Sequence, residues 1–160
     1  MKGYKGVLFS AFVLWFGAAL QQVVSPRVGI FGANPDFLLV FMSCLCLWTS
    51  RVGGGVVGFF AGLFAGATTG ANMTQYIFSR TITGFLDAWS RLFGVDANLF
   101  VAAINAVLVT VIAQLVQMFF APPSGIVAFL GATIGSAMYN GVLAVPVYAL
   151  WRRILGPQGT

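Results

Sequence analysis

The chain has 160 residues, of which 59% are hydrophobic and 7% are charged, and its formal net charge is +5. Soluble domains carry about 25% charged residues, so this composition excludes an ordinary soluble domain and indicates one compact domain in a lipid bilayer. Histidine is absent, and the carboxylates are Asp36, Asp87 and Asp96. Most metal centres and general acid–base sites need more ligands and titratable groups than these.

The first predicted element is a membrane-spanning helix at residues 7–24. Lys2 and the apolar run that follows it also resemble a signal peptide, but no small-residue cleavage site comes next, and the run is long enough to cross a bilayer. We therefore expect a retained helix. Ser25 and Pro26 end it, and a short loop at 27–34 follows.

The second predicted span covers residues 35–50 and has a well-marked start. Asn34 is a suitable cap, Pro35 fits the first helical position, and the charge of Asp36 is favourable at the positive end of a helix dipole. The third predicted span follows closely, at residues 53–70.

The third span carries a ladder of small residues, with a glycine at every fourth position. The ladder consists of Gly54, Gly58, Gly62, Gly66 and Gly70. Helices in lipid associate by close packing, and small residues let two backbones approach each other. The ladder therefore predicts a helix–helix contact, either with another helix of the same chain or with a transmembrane helix of a partner protein.

The fourth predicted segment, residues 73–91, is the most polar. Arg80 lies near its centre, where an arginine costs about 2.5–3.5 kcal/mol on insertion scales. Asp87 shares its helical face, and Asp87 and Arg91 form an i, i+4 pair with the acid first. We expect either a short hydrated helix end with snorkelling arginines or a polar contact with a partner.

Residues 97–151 form a stretch of 55 residues without a charge. As one helix it would be roughly 80 Å long, far more than the roughly 30 Å hydrocarbon core. The two prolines at 122–123 divide it into predicted spans at 97–121 and 124–151. The last span carries a ridge of mostly small residues, Ala128, Ala132, Ser136, Asn140 and Ala144. Asn140 is an amide deep in an apolar helix, so we expect it to hydrogen-bond across helices.

The basic residues predict the topology. Six spans place every basic residue except Arg27 and the intramembrane Arg80 in the cytoplasm, together with both termini, and leave Arg27 outside. The cytoplasmic set is Lys2, Lys5, Arg51, Arg91, Arg152 and Arg153. Five spans would put the last two arginines outside. The rival interpretation makes segment four an amphipathic helix lying flat in the membrane interface.

Catalysis is not expected from these residues. An intramembrane protease needs a serine–histidine pair, paired aspartates or metal ligands, and Asp36 and Asp87 fall near opposite membrane faces. The acidic relay of a proton pump is also missing. We therefore predict a non-enzymatic membrane protein without cofactor or metal and without a nucleic-acid partner.

The stretch from about Pro35 to Arg153 resembles the MreD family, small membrane subunits of the bacterial cell-elongation (rod) machinery. The shared landmarks are Pro35-Asp36 opening an apolar helix, the run Gly58-Phe59-Phe60-Ala61-Gly62-Leu63, and a last span with Asn140 and Pro146 that ends in Trp151-Arg152-Arg153. Gly66 stands where many members carry an aspartate.

This resemblance implies a compact six-helix bundle similar to the substrate-binding (S) components of energy-coupling-factor vitamin transporters. It also implies residence in the bacterial cytoplasmic membrane and a non-enzymatic role. The partner would be the bitopic protein MreC, bound through its transmembrane helix. MreB filaments, RodA and a class B penicillin-binding transpeptidase would be indirect partners in lateral wall synthesis and cell shape.

The alternative function is that of a true S component, which captures a vitamin from outside. Such a protein needs an outward polar pocket and an alanine-x-x-x-alanine surface in its first span, and Ala11, Ala18 and Ala19 do not give that spacing. The few pocket candidates are Asn34, Asn72, Thr74, Gln75 and Gln117. A third possibility is a structural membrane subunit outside both families.

The predicted topology is tested with a cysteine introduced at position 160, after Cys44 and Cys46 have been replaced by alanine. We expect Thr160→Cys to react with a membrane-impermeant maleimide only after cells are permeabilised, because an even number of spans returns the chain to the basic, cytoplasmic side. Val28→Cys, in the outer loop, is the positive control and should react in intact cells. Labelling of position 160 from outside would overturn six spans.

Overall fold

A computed structural model of the chain describes residues 4–30, 32–70, 72–87 and 97–156, and these residues form an all-helical bundle. Its helices are α1 Tyr4–Val23, α2 Phe37–Cys46, α3 Arg51–Thr69, α4 Met73–Asp87, α5 Leu99–Phe120 and α6 Ile126–Leu155. One 3-10 turn, Ser25–Arg27, follows α1. Several sequence predictions concern positions outside the described residues, namely Lys2, Arg91, Asp96, Thr160 and segment four beyond residue 87.

Four of these helices have the length and apolar composition needed to cross a membrane: α1, α3, α5 and α6. Their bounds agree with the predicted spans to within four residues at each end. The chain is therefore a multi-pass helical membrane protein. The other two are shorter, with ten residues in α2 and fifteen described residues in α4. At 1.5 Å per residue, α2 is about 15 Å long, half of a hydrocarbon core.

The short helix α2 lies at the centre of the bundle. It contacts all five other helices, and every residue after Phe37 is buried. A helix that is apolar on all sides is usually buried. The five neighbouring helices bury α2 in this bundle. Cys44 and Cys46 face different neighbours, since their thiols approach the Ala144 carbonyl of α6 and the Gly54 carbonyl of α3.

The bounds of α2 differ from the predicted span at both ends. The helix begins at Phe37, because Asp36 is its N-cap and accepts a hydrogen bond from the Leu39 N–H at 2.8 Å. Asn34 and Pro35 therefore precede the cap. The predictions that Asn34 caps the helix and that Pro35 occupies its first position are wrong. After Cys46 the backbone tightens into a turn, in which the Thr49 N–H donates to the Cys46 carbonyl.

The glycine ladder of α3 lies against α4. A Cβ atom added to Gly62 would be 2.5 Å from the Cα of Ile77, and one added to Gly66 would be 2.9 Å from the Cα of Met73. A Cβ atom added to Gly58 would likewise overlap the backbone carbonyl group of Arg80. The two helices are thus in backbone contact over several turns, and α4 occupies the face that a partner helix would need.

The ends of the ladder behave differently from its middle. Gly54 closely approaches Gly84, so α4 contributes a glycine of its own to the contact. Gly70 is not part of the contact surface: α3 ends at Thr69, and Gly70 is its C-cap in the left-handed region, with φ +64°. A non-glycine residue is strained there.

The backbone contact predicts that alanine is harmful at Gly62. Its Cβ has no space against Ile77, and overpacking typically costs about 1–3 kcal/mol. The matched control is Gly131→Ala in α6, where a Cβ meets nothing within 4 Å and helix propensity improves. We expect the purified Gly62→Ala protein to unfold at a clearly lower temperature than the control. Equal unfolding temperatures would contradict the contact.

Candidate functional site

An ion pair between Asp36 and Arg80 lies inside the bundle. The Arg80 Nη2 donates to Oδ2 of Asp36, and the exposed fractions of the two side chains are 4% for arginine and 21% for aspartate. Arg80 lies in the middle of α4, where the contact with Gly58 holds its backbone against α3. Asp36 is fixed by its capping bond to α2. The expectation that Arg80 snorkels to the membrane surface is wrong, because its guanidinium is buried against a carboxylate.

Asn140 extends this contact to two further helices. Its Oδ1 accepts a hydrogen bond from the Asp36 N–H at 2.8 Å, and its Nδ2 donates to Thr110 Oγ1 at 3.0 Å. Asn140 is fully buried and therefore joins α6 to the start of α2 and to α5. The cross-helix hydrogen bonds expected of this amide are present.

The segment that leads into α2 is held by the end of α1. Ser25 Oγ donates to the Pro35 carbonyl at 2.6 Å, and Oε1 of Gln21 accepts from the Phe37 N–H at 2.8 Å. These bonds satisfy backbone groups that would otherwise be unpaired in a buried chain reversal. They also fix Asp36, and hence the ion pair, relative to α1.

A polar cavity of about 290 Å³ surrounds the ion pair. It lies at the end of the bundle where α1, α3 and α5 end and α2, α4 and α6 begin. Its polar lining consists of Gln21, Asn34, Asp36, Thr68, Thr69, Tyr76, Arg80, Thr110, Gln114, Gln117, Ser136 and Asn140. A concave site with converging polar groups is the usual form of a ligand pocket, although this one is small for that class.

Arg80 has unused hydrogen-bonding capacity in this cavity. Its Nε and Nη1 atoms are buried and have no hydrogen-bond partner within the described part of the chain. A guanidinium carries five N–H donors, so the bond to Asp36 satisfies only part of the group. Arg80 is 3% exposed and lines the cavity.

The cavity includes some of the residues expected from the sequence and omits others. Asn34 and Gln117 line it, as does Ser136 of the α6 ridge, whereas Asn72, Thr74 and Gln75 do not. Sequence reasoning singled out Gln117 of α5 but missed Thr110 and Gln114 of the same helix, together with Gln21 and Tyr76. The α5 residues recur at steps of four and three, which is a polar stripe on one helical face.

A second buried polar cluster lies at the opposite end of the bundle. Asp87, the last residue of α4, accepts a hydrogen bond from Asn105 Nδ2, which also donates to Ser43 Oγ at 3.4 Å. Ser43 is seven residues after Asp36, about 10 Å further along α2. The two carboxylates therefore belong to separate clusters and do not form a dyad.

The outer surface of α6 carries a shallower groove of about 370 Å³. It is lined by Ile30, Ala33, Gly131, Gly135, Met138, Tyr139 and Val142. The loop before α2 forms one wall, fixed by the Tyr139 hydroxyl, which donates to the Val28 carbonyl at 3.2 Å. Gly131 has open space where a side chain would be, so the N-terminal part of α6 presents its backbone to the surroundings.

Comparison of the chain with protein-family models, curated proteins and solved structures finds no match. Among the described residues, no group of three histidine, cysteine or acidic side chains is placed to hold a metal ion. The polar cavity with its ion pair and the groove on α6 are thus the two candidate sites.

The ion pair predicts a specific pattern of stabilities. Asp36→Asn keeps an oxygen to cap α2 but leaves the buried guanidinium of Arg80 without its counter-charge, and losing one partner of a buried pair costs about 3–5 kcal/mol. Adding Arg80→Met removes the stranded charge. We expect the double variant to unfold at a higher temperature than Asp36→Asn alone. Additive losses in a double-mutant cycle would contradict the buried pair.

Proposed function

We propose that this chain is a non-enzymatic membrane subunit of the bacterial cell-elongation (rod) complex, acting as the MreD family does. It resides in the cytoplasmic membrane, crosses it six times and keeps both termini inside. It binds MreC and thereby helps to organise MreB, RodA and the class B penicillin-binding transpeptidase. The sequence landmarks between Pro35 and Arg153 support the choice of family, and the basic residues support the orientation.

The observation that carries the partner-binding role is the open groove on α6. Small residues make close helix–helix packing possible in lipid. Here Gly131 is uncovered, Gly135 lines the same groove, and Ala128 is exposed about one turn before Gly131. The glycine ladder of α3 is already occupied by α4. We therefore assign the contact with the MreC helix to α6, next to the loop before α2, and not to the ladder.

Capture of a small solute is the second candidate function. The observation that favours it is the convergence of amide, hydroxyl and charged side chains around Arg80 in the polar cavity. An S component would expose such a cavity to the outside, the side on which the proposed topology places it. Saturable retention of a vitamin by the purified protein would favour this function over partner binding.

The assignment of the MreC contact predicts the effect of a bulky residue in the groove. Gly131→Leu fills open space, so the chain should insert and fold normally while the partner helix is kept at a distance. We expect several-fold less MreC to co-purify with this variant. Gly55→Leu is the matched control on α3, where an added Cβ makes only ordinary contacts with Phe85. Full recovery of MreC with Gly131→Leu would refute the α6 contact.

A further inference from the structure

The polar cavity is lined by a buried cation, Arg80, whose N–H donors outnumber the hydrogen-bond acceptors around it. Arg80 is 3% exposed, yet Nε and Nη1 lack hydrogen-bond partners among the described residues, while Nη2 is bonded to Asp36. Nearly all buried polar groups in proteins have a partner, because an unpaired one is costly. Arg80 also lines the cavity, so an acceptor from outside the chain that enters beside the guanidinium would satisfy these donors.

From this geometry we infer that the cavity is a binding site for a small carboxylate-bearing molecule, whose carboxylate accepts hydrogen bonds from the free donors of Arg80. The planar guanidinium matches a carboxylate in shape and in donor spacing. The inference deepens solute capture, the second candidate function, and rests on it. It is independent of the contact with MreC, which uses the other side of α6.

Charge selects a carboxylate over a phosphate group. Arg80 is the single cation among the described residues that line the cavity, and Asp36 is the single anion beside it. The pair already neutralises one positive charge. A phosphate dianion would add two negative charges close to the Asp36 carboxylate, and like charges in a poorly solvated site repel strongly. A singly charged carboxylate adds less repulsion than a phosphate dianion and still supplies two acceptor oxygens for the guanidinium.

The rest of the lining indicates what the ligand carries besides its carboxylate. Gln114 and Gln117 offer amide donors and acceptors from α5. Thr68 and Thr69 offer hydroxyl oxygens as acceptors from the end of α3, because their protons are donated to backbone carbonyls. Tyr76 adds an aromatic ring from α4. A volume of about 290 Å³ admits a small organic molecule and not merely an ion. We therefore expect a compact, polar monocarboxylate.

The test is a thermal-unfolding titration of the full chain in neutral detergent. The probes are sodium acetate, lactate, N-acetylglycine and nicotinate, each compared with sodium chloride at equal ionic strength. We expect at least one of the organic carboxylates to raise the unfolding temperature saturably, because a ligand that binds only the folded state stabilises it. No rise above chloride with any of the four would overturn the proposal.

Three variants locate the binding site. Arg80→Lys keeps a positive charge beside Asp36 but loses the guanidinium. We expect the dissociation constant for the carboxylate to rise at least about tenfold. Gln114→Leu changes another lining residue and leaves the ion pair intact, so it tests the cavity even where Arg80→Lys fails to fold. Thr74→Ala, exposed at the same end but outside the lining, is the matched control. Equal affinity in Gln114→Leu and the control would overturn the assignment.

Three further probes identify the source of the anion and test solute capture separately from the carboxylate. Inorganic phosphate and phosphatidylglycerol micelles are tested in the same way, and stabilisation by either of these without a response to carboxylates would overturn the carboxylate proposal in favour of a phosphate or a lipid headgroup. Riboflavin, a vitamin without a carboxylate, is the last probe. Its saturable binding without a carboxylate response would leave solute capture standing and refute only the carboxylate.

Discussion

The Asp36–Arg80 ion pair is the contact on which the position of α2 depends. A ten-residue helix cannot cross a bilayer by itself, and its apolar surface contacts all five other helices. Its start must therefore be held at a fixed depth by specific polar contacts. Asp36 alone makes three such contacts. Its side chain caps α2 and forms an ion pair with Arg80 of α4, and its backbone N–H donates to Asn140 of α6.

The buried arginine depends in turn on the glycines of α3. Because Gly58 and Gly62 lack side chains, α4 lies in backbone contact with α3, and Arg80 is carried into the bundle instead of reaching the membrane surface. Close packing, which is the main source of helix association in lipid, thus places a charge where it needs a counter-charge. The glycine contact and the ion pair are two parts of one arrangement.

The long helices could be predicted from the sequence, whereas the site around Arg80 could not. Apolar run length and the prolines at 122–123 locate four helices to within a few residues. An apolar run does not distinguish a span from a buried short helix, so the predicted span at 35–50 extends beyond α2 at both ends. Asp36 and Arg80 are 44 residues apart, beyond any helical periodicity. Of the polar stripe formed by Thr110, Gln114 and Gln117, only Gln117 is predicted from the sequence, because an uncharged residue in an apolar helix gives a weak signal.

The two candidate sites meet at α6 and differ in what they can bind. The inner face of the helix contributes Ser136 and Asn140 to the cavity, and its outer face contributes Gly131 and Gly135 to the groove. The loop before α2 borders both, since Asn34 lines the cavity and Ala33 lies against Gly135. A helix seated in the groove would lie against this loop. Because the same loop leads directly to Asp36, the two sites share one short segment of the chain, while each binds on its own face of α6.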